Sequence, residues 1–506
     1  MLARVRALRA IVSLAGLIAV ACGSADDRPT PTLADTPGIT RAIDKDPDPA
    51  VFETDLEARE STVEYVAGKK TKVWTYNGVV PGPLIDVKVG TKLVVHFKNS
   101  LPQATTIHWH GIRLPNAMDG AVAVQDPVPP GGTFEYAFTL RDAGLYWFHP
   151  HHFSDSQTAK GMYGVIRVRG PNEPTSDDES VVVLDDARLE ADGSLPKDLD
   201  DWEQLPIEMK LHGRSGPIIL VNGAANRTIE VRAGELHRFR FLNAANLRYF
   251  NLRMPGHRWR VIGTDGSLFE RPYDSENLLI GPAERYDALL IPNASLQGQE
   301  ISLLSDAYQR AEDDPQEATT VAKLRVSDTR ALSGRAMPDA IPGVGVPRLA
   351  IPPGDPLPIV FDFGTIGGPE GFTFPASHHG EMPPAEPGDP IFAINKKVGD
   401  DIPALDVPLG ETRVFKISNT SHQIHLFHLH GFFFQIVDSD DKWDAKKNPL
   451  GLRPELMAQA NKDTVTVREG YSVTIVGRFD APGTWMYHCH IPEHSERGMM
   501  AEIHVK

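Results

Sequence analysis

Gly90-Thr91-Lys92-Leu93-Val94-Val95-His96-Phe97-Lys98-Asn99 recurs in outline twice further along the chain. It returns as Gly234-Glu235-Leu236-His237-Arg238-Phe239-Arg240-Phe241-Leu242-Asn243 and as Gly410-Glu411-Thr412-Arg413-Val414-Phe415-Lys416-Ile417-Ser418-Asn419. Each copy opens on a glycine and closes on an asparagine. Apolar residues sit at matching alternate offsets between them: Val95 and Phe97, Phe239 and Phe241, Phe415 and Ile417. Alternation with a period of two is the signature of a half-buried strand. A further asparagine precedes each glycine by a similar interval, at Asn77, Asn222 and Asn395. A second match links the two ends: Gly144-Leu145-Tyr146-Trp147-Phe148-His149 parallels Gly483-Thr484-Trp485-Met486-Tyr487-His488. The repeat predicts three similar all-β domains, near 51–172, 176–330 and 345–506, each a β-sandwich. At 506 residues the chain is too long for one core, and its 43 glycines and 42 prolines favour turns over long helices.

Ahead of the repeats lies an export signature. Arg4, Arg6 and Arg9 precede an apolar stretch, Ile11 to Val20, too short to span a bilayer. It ends at Ala19-Val20-Ala21-Cys22, which resembles a lipoprotein cleavage box. Residues 1–22 are therefore expected to be a signal peptide with lipid on Cys22, plain cleavage being the alternative. Residues 23–50, rich in Asp, Pro and Thr, are expected to be a flexible linker. The chain is expected to be exported, periplasmic or at the cell surface, monomeric, and tied to a membrane only through that lipid. A formal net charge of −16 argues against a nucleic-acid partner. Of two cysteines, only Cys489 would then be available in the body of the protein, and its two histidine neighbours point to metal ligation.

Ten of the nineteen histidines fall in four clusters. These are His108-Trp109-His110, His149-Pro150-His151, His425-Leu426-Phe427-His428-Leu429-His430 and His488-Cys489-His490-Ile491-Pro492-Glu493-His494, with Met499 following. In an extended chain, residues two apart share a face and neighbours do not. His108 and His110, His149 and His151, His428 and His430, and His488 and His490 therefore form four pairs. Cys489 points the other way, and His425, three residues before His428, shares its parity. The pattern separates Cys489, His425, His494 and Met499 from the eight paired imidazoles. A thiolate, two imidazoles and a weak thioether suit a blue-copper electron-transfer site. Eight imidazoles can hold three further copper ions with positions left open for oxygen. A structural zinc needs one closed tetrahedron of four ligands, which this set exceeds. The clusters lie in the first and third repeats only, so the shared site is expected at their interface.

These motifs resemble the multicopper oxidases, specifically the three-domain bacterial laccase-like group, and Asn77-Gly78-Val79-Val80-Pro81-Gly82-Pro83 is similar to that family's N-terminal signature. The resemblance implies three cupredoxin-like Greek-key domains, the middle one without copper ligands, and four copper ions. It implies type 1 copper on His425, Cys489, His494 and Met499. Type 2 copper would take His108 and His428. The type 3 pair would take His110, His149 and His490 on one ion, and His151, His430 and His488 on the other. The implied chemistry is four one-electron oxidations at type 1 and reduction of dioxygen to water at the cluster, with Cys489, His488 and His490 as the electron route. Asp119 matches an acidic residue near the type 2 copper of relatives and is a candidate proton relay. Ser495 stands where several relatives carry glutamate; Glu493 and Glu496 flank that place.

Substrate reading is less direct. An axial Met499 implies a modest potential, suited to easily oxidised phenols. The loop from Gly364 to Pro390 holds His378, His379, Glu381 and Met382, a potential metal-docking set, but its Gly and Pro content reads as a surface loop. The expectation is a laccase-like oxidase of phenols and aromatic amines. The alternative is a metal oxidase acting on cuprous, manganous or ferrous ion. A copper nitrite reductase lacks the eight-imidazole cluster, and a non-catalytic cupredoxin scaffold would have lost ligands that are all present here.

Overall fold

A computed structural model of the chain describes residues 36–328, 335–372, 386–444, 446–448 and 450–506. The expected leader and Cys22 lie outside the described residues, as do His378, His379, Glu381 and Met382. No helix among the described residues is long and apolar enough to cross a membrane.

The repeat seen in the sequence folds into three pairs of sheets. The first pair sets Lys69–Tyr76, Val51–Val66, Lys92–Asn99 and Thr133–Thr139 against Gly82–Lys88, Gly164–Arg169, Gly144–His149 and His108–His110, each in sheet order. The second pair has six strands and five, drawn from residues between Asp178 and Ser327. The third has five and five, between Leu357 and Val505. In every pair the repeated strand runs parallel to the first strand of its domain: Val51 opposite Lys92, Asp178 opposite His237, Leu357 opposite Phe415. The second sheet of each domain holds one parallel pair as well, and parallel pairs among antiparallel strands require long crossovers, as in Greek-key connections.

The repeated asparagines explain why the outline recurs. Asn99, Asn243 and Asn419 are buried at the strand ends. Each Nδ2 donates to a carbonyl of a distant strand or loop: Val128 at 2.8 Å, Ile280 at 3.0 Å and Val467 at 2.9 Å. Each Oδ1 accepts the backbone N–H two residues on, from Leu101, Ala245 and Ser421. The second set, Asn77, Asn222 and Asn395, adopts left-handed φ of 55°, 49° and 52°, a region Asn tolerates better than most residues. Each accepts from a backbone N–H on the neighbouring strand: Glu57, Val183 and Val360.

Of the stretch expected as a linker, residues 36–50 are described and hydrogen-bond to the first and second domains. Leu84 N–H donates to Thr40 O at 2.7 Å and Ala42 N–H to Leu84 O at 2.9 Å, while Asn222 Nδ2 donates to Pro37 O. The strand Gly82–Lys88 is the outer strand of its sheet, and its free backbone groups recruit this segment as a partner.

Candidate metal centres

The short strand His108–His110 pairs with Gly144–His149, which sets His108 directly opposite His149. Strand His425–Leu429 pairs with Gly483–Cys489, which sets His428 opposite His488. The two strand pairs face each other across the junction of the first and third domains. His110 stacks on His428 at 3.8 Å between ring centroids and His108 on His430 at 3.9 Å. Three groups of imidazoles have ligand atoms within 4.8 Å of one another: His110, His149, His490; His151, His430, His488; and His108, His110, His428. All eight paired histidines are thus brought together, and all are buried.

One nitrogen of most rings is already committed. Nδ1 of His108 donates to Asp119 O at 2.9 Å, of His149 to Pro150 O at 2.9 Å, of His428 to Asp463 O at 2.8 Å and of His488 to Cys489 O at 2.8 Å. His430 Nδ1 donates to Asp119 Oδ2 at 2.8 Å. His110 is turned the other way, with Nε2 3.0 Å from Asp463 Oδ1. The opposite nitrogens, Nε2 of His108, His149 and His428 and Nδ1 of His110, are buried without a hydrogen-bond partner, as are both nitrogens of His490. His430 Nε2 and His488 Nε2 stand 2.9 Å apart. With both protons on Nδ1, two bare lone pairs meet, an arrangement that a cation between them makes favourable. Burial holds these rings neutral, the form in which imidazole binds metal: His488 is lowered to about 4 and His149 to about 3. The donor set therefore fits metal ions.

Cys489 turns to the other face of its strand, as parity requires. Its Sγ lies 3.5 Å from His425 Nδ1 and 3.6 Å from His494 Nδ1, and those two nitrogens are 3.1 Å apart. His494 sits on the short helix Pro492–Ser495, started by Pro492. His425 Nε2 is 2.8 Å from Ser421 Oγ. Burial pushes the Cys489 thiol up to about 12, so a metal ion there must displace its proton. Met499 is buried, and its carbonyl accepts Cys489 N–H at 3.0 Å while its N–H donates to His494 O.

Asp119 lies between His108 and His430, buried, and burial pushes its carboxyl up to about 8. Ser495 is buried and its hydroxyl donates to Pro492 O, closing the helix turn. Glu493 is held by Arg214 at 2.8 Å and Asn246 at 2.9 Å, both from the middle domain. Glu496 accepts from Ser154 N–H and Oγ, and burial pushes it up to about 7.

Several functional neighbours carry no signal in the sequence. Asp463, Thr464 and Arg285 stand behind His110 and His428. The middle domain also covers the thiolate site: helix Ile207–His212 ends over His494, whose Nε2 donates to Leu211 O at 3.1 Å, while Phe392 of the third domain stacks on the same ring at 3.9 Å. A lone acid, a lone arginine and a carbonyl have no spacing to read.

Comparison with known proteins agrees with this geometry. Three family profiles described as multicopper oxidase match residues 57–173, 189–328 and 374–506. The chain is 28% identical to the multicopper oxidase MmcO of Mycobacterium tuberculosis, over 96% of this chain and 94% of that one. It is 25% identical to Laccase-1 of Cryptococcus neoformans, over 87% and 78%. Among solved structures, a multicopper oxidase of Campylobacter jejuni described as a metallo-oxidase superposes with a TM-score of 0.73 at 29% identity, covering 92% of this chain and 94% of that one. Three matched segments, three sandwiches and two segregated ligand sets lead to one assignment: the chain belongs to the multicopper oxidases, copper-dependent oxidoreductases built from three cupredoxin-like domains.

Proposed function

We propose that the protein couples oxidation of a small donor, most readily a reduced metal ion, to reduction of dioxygen. On this reading it holds four coppers: one at His425, Cys489, His494 and Met499, and three on the eight paired imidazoles, with His108 and His428 holding the type 2 ion. Copper bound there supplies one-electron acceptance at the thiolate and four-electron delivery to oxygen at the cluster. The chain contributes the wiring: Cys489 is covalently continuous with His488 and His490, so the two environments are joined by backbone.

The observation that carries the choice of donor is the cover on His494. That ring is fully buried, and its outer nitrogen is capped by Leu211 O, so a bulky phenol has no edge to stack on. His212, next in the chain, lies 3.9 Å from both Asp313 and Asp314. Asp313 is exposed, whereas Asp314 is largely buried and paired through Oδ1 with Arg310 at 2.6 Å. The exposed Asp313 carboxylate, beside the His212 imidazole, attracts a cation. From there His212, the Leu211 peptide and His494 make a short path inward. The cuprous and ferrous ions are the donors this surface suits. Laccase-type oxidation of phenols and aromatic amines is the second reading, favoured by the Cryptococcus relative.

The test is oxygen uptake by the copper-loaded protein with Cu(I), Fe(II) and a phenol in parallel, corrected for autoxidation. His212→Ala and Asp313→Ala should lower kcat/KM for the metal ion by about tenfold, ~1.4 kcal/mol of transition-state stabilisation, and leave the phenol rate within about twofold. Faster uptake with the phenol, unaffected by either change, would establish the laccase reading instead.

A further inference from the structure

The middle domain holds none of the paired histidines, yet one of its side chains reaches the imidazole cluster. Arg285 opens the strand Arg285–Leu290 and is fully buried. Its Nη1 and Nη2 donate to the two carboxylate oxygens of Asp463 at 2.7 and 2.6 Å, a bidentate clamp. Its Nε donates to Leu145 O at 2.8 Å, on the strand that leads to His149. A single guanidinium therefore touches the first, second and third domains. Asp463 in turn meets both members of the stacked pair: Oδ1 lies 3.0 Å from His110 Nε2, and the carbonyl accepts from His428 Nδ1 at 2.8 Å. Thr464 Oγ1 lies 3.1 Å from His110 Nε2.

We infer that Arg285 is a positioning residue for the copper cluster, acting through Asp463 to set the tautomer of His110 and the aim of His110 and His428. A carboxylate held by two guanidinium N–H groups is an acceptor only. His110 must then carry its proton on Nε2, which leaves the unpartnered Nδ1 free as the ligand atom. Gly111 belongs to the same device. A β-carbon there would fall 2.5 Å from Asp463 Oδ2 and 2.6 Å from Arg285 Nη2, at a φ of +81°. The glycine after His108-Trp109-His110 is the gap through which the clamp passes. Docking of the ligand-free domain and assembly of the cluster are thereby one event.

Asp463→Asn tests the tautomer claim without changing size. An amide can donate to His110 Nε2 and drive the proton onto Nδ1, where it blocks the metal, much as an Asp to Asn change inverts a histidine in a hydrolase triad. Copper titration of apoprotein, followed by elemental analysis, the blue absorption and EPR, separates the two environments. The expected result is an unchanged blue band with cluster copper bound about 10–100-fold more weakly. Arg285→Met should act alike, Arg285→Lys should recover part of the loss, and Gly111→Ala should reproduce it. Should Arg285→Met fail to fold, Asp463→Asn decides. Full cluster occupancy with unaltered EPR in Asp463→Asn would overturn the inference, as would parallel loss of blue and cluster copper, which marks general destabilisation.

Discussion

Two bare imidazole nitrogens held 2.9 Å apart, with no donor between them, carry more of the argument than any motif. His430 and His488 are fixed in that confrontation by Asp119 and by the Cys489 carbonyl. Asp119 is thus a builder of the site as well as a candidate proton relay. Replacing it with Ala leaves His430 Nδ1–H buried without an acceptor. Copper affinity of the cluster, read by titration of the apoprotein, should fall about 10–100-fold while the blue band persists; unchanged affinity would show that His430 needs no such support. The sequence made the ligand atoms legible at this scale because strand parity is local: alternation alone separates Cys489 from His488 and His490. It could not reveal Asp463 or Arg285, whose role depends on a meeting of residues 178 positions apart.

Among elements, the repeated corner is the unit of the fold. Asn243 is buried, makes two side-chain donations and accepts one. Asn243→Ala strands those partners and should cost about 1–3 kcal/mol in urea unfolding of the apoprotein; a cost under about 0.5 kcal/mol would mean that the loops relax to water. The outline Gly to Asn was readable because each domain solves the same crossover with the same corner. Helix Ile207–His212 was not readable as a cover, since a six-residue element in a domain without ligands shows no periodicity. If it screens His494, replacing residues 207–212 with a glycine-serine loop should raise kcat/KM for a bulky phenol at least about tenfold and lower it for the metal ion. No gain with the phenol would place the donor's entry elsewhere.

For the whole molecule, nine buried imidazoles dominate the pH response of the apoprotein. Burial lowers His425 and His149 to about 3 and His488 to about 4 from an ordinary 6.5, and lowers His108, His110, His428, His430, His490 and His494 as well. Below pH 6.5 the unfolded chain binds protons that the folded chain refuses. The stability these groups contribute is present above that pH and is lost as pH falls toward 4, at up to about 1.4 kcal/mol per group per unit. Asp119 and Glu496, raised to about 8 and 7, act in the opposite sense, stabilising at low pH, as do Asp185, Glu284, Asp463 and Glu493, which burial also raises. The nine imidazoles outnumber these six carboxyls, so Tm of the apoprotein should drop from pH 7 to 4.5; a flat profile would contradict the neutral, buried rings. The central claim is that one chain keeps a thiolate site and an imidazole cluster apart while joining them through Cys489. Copper content, visible absorption and EPR of the loaded wild type and of Cys489→Ser test it most directly. The account predicts about four coppers per chain falling to about three, with the blue band lost and the type 2 signal kept. A blue band that survives the substitution, or loss of all copper together, would contradict it.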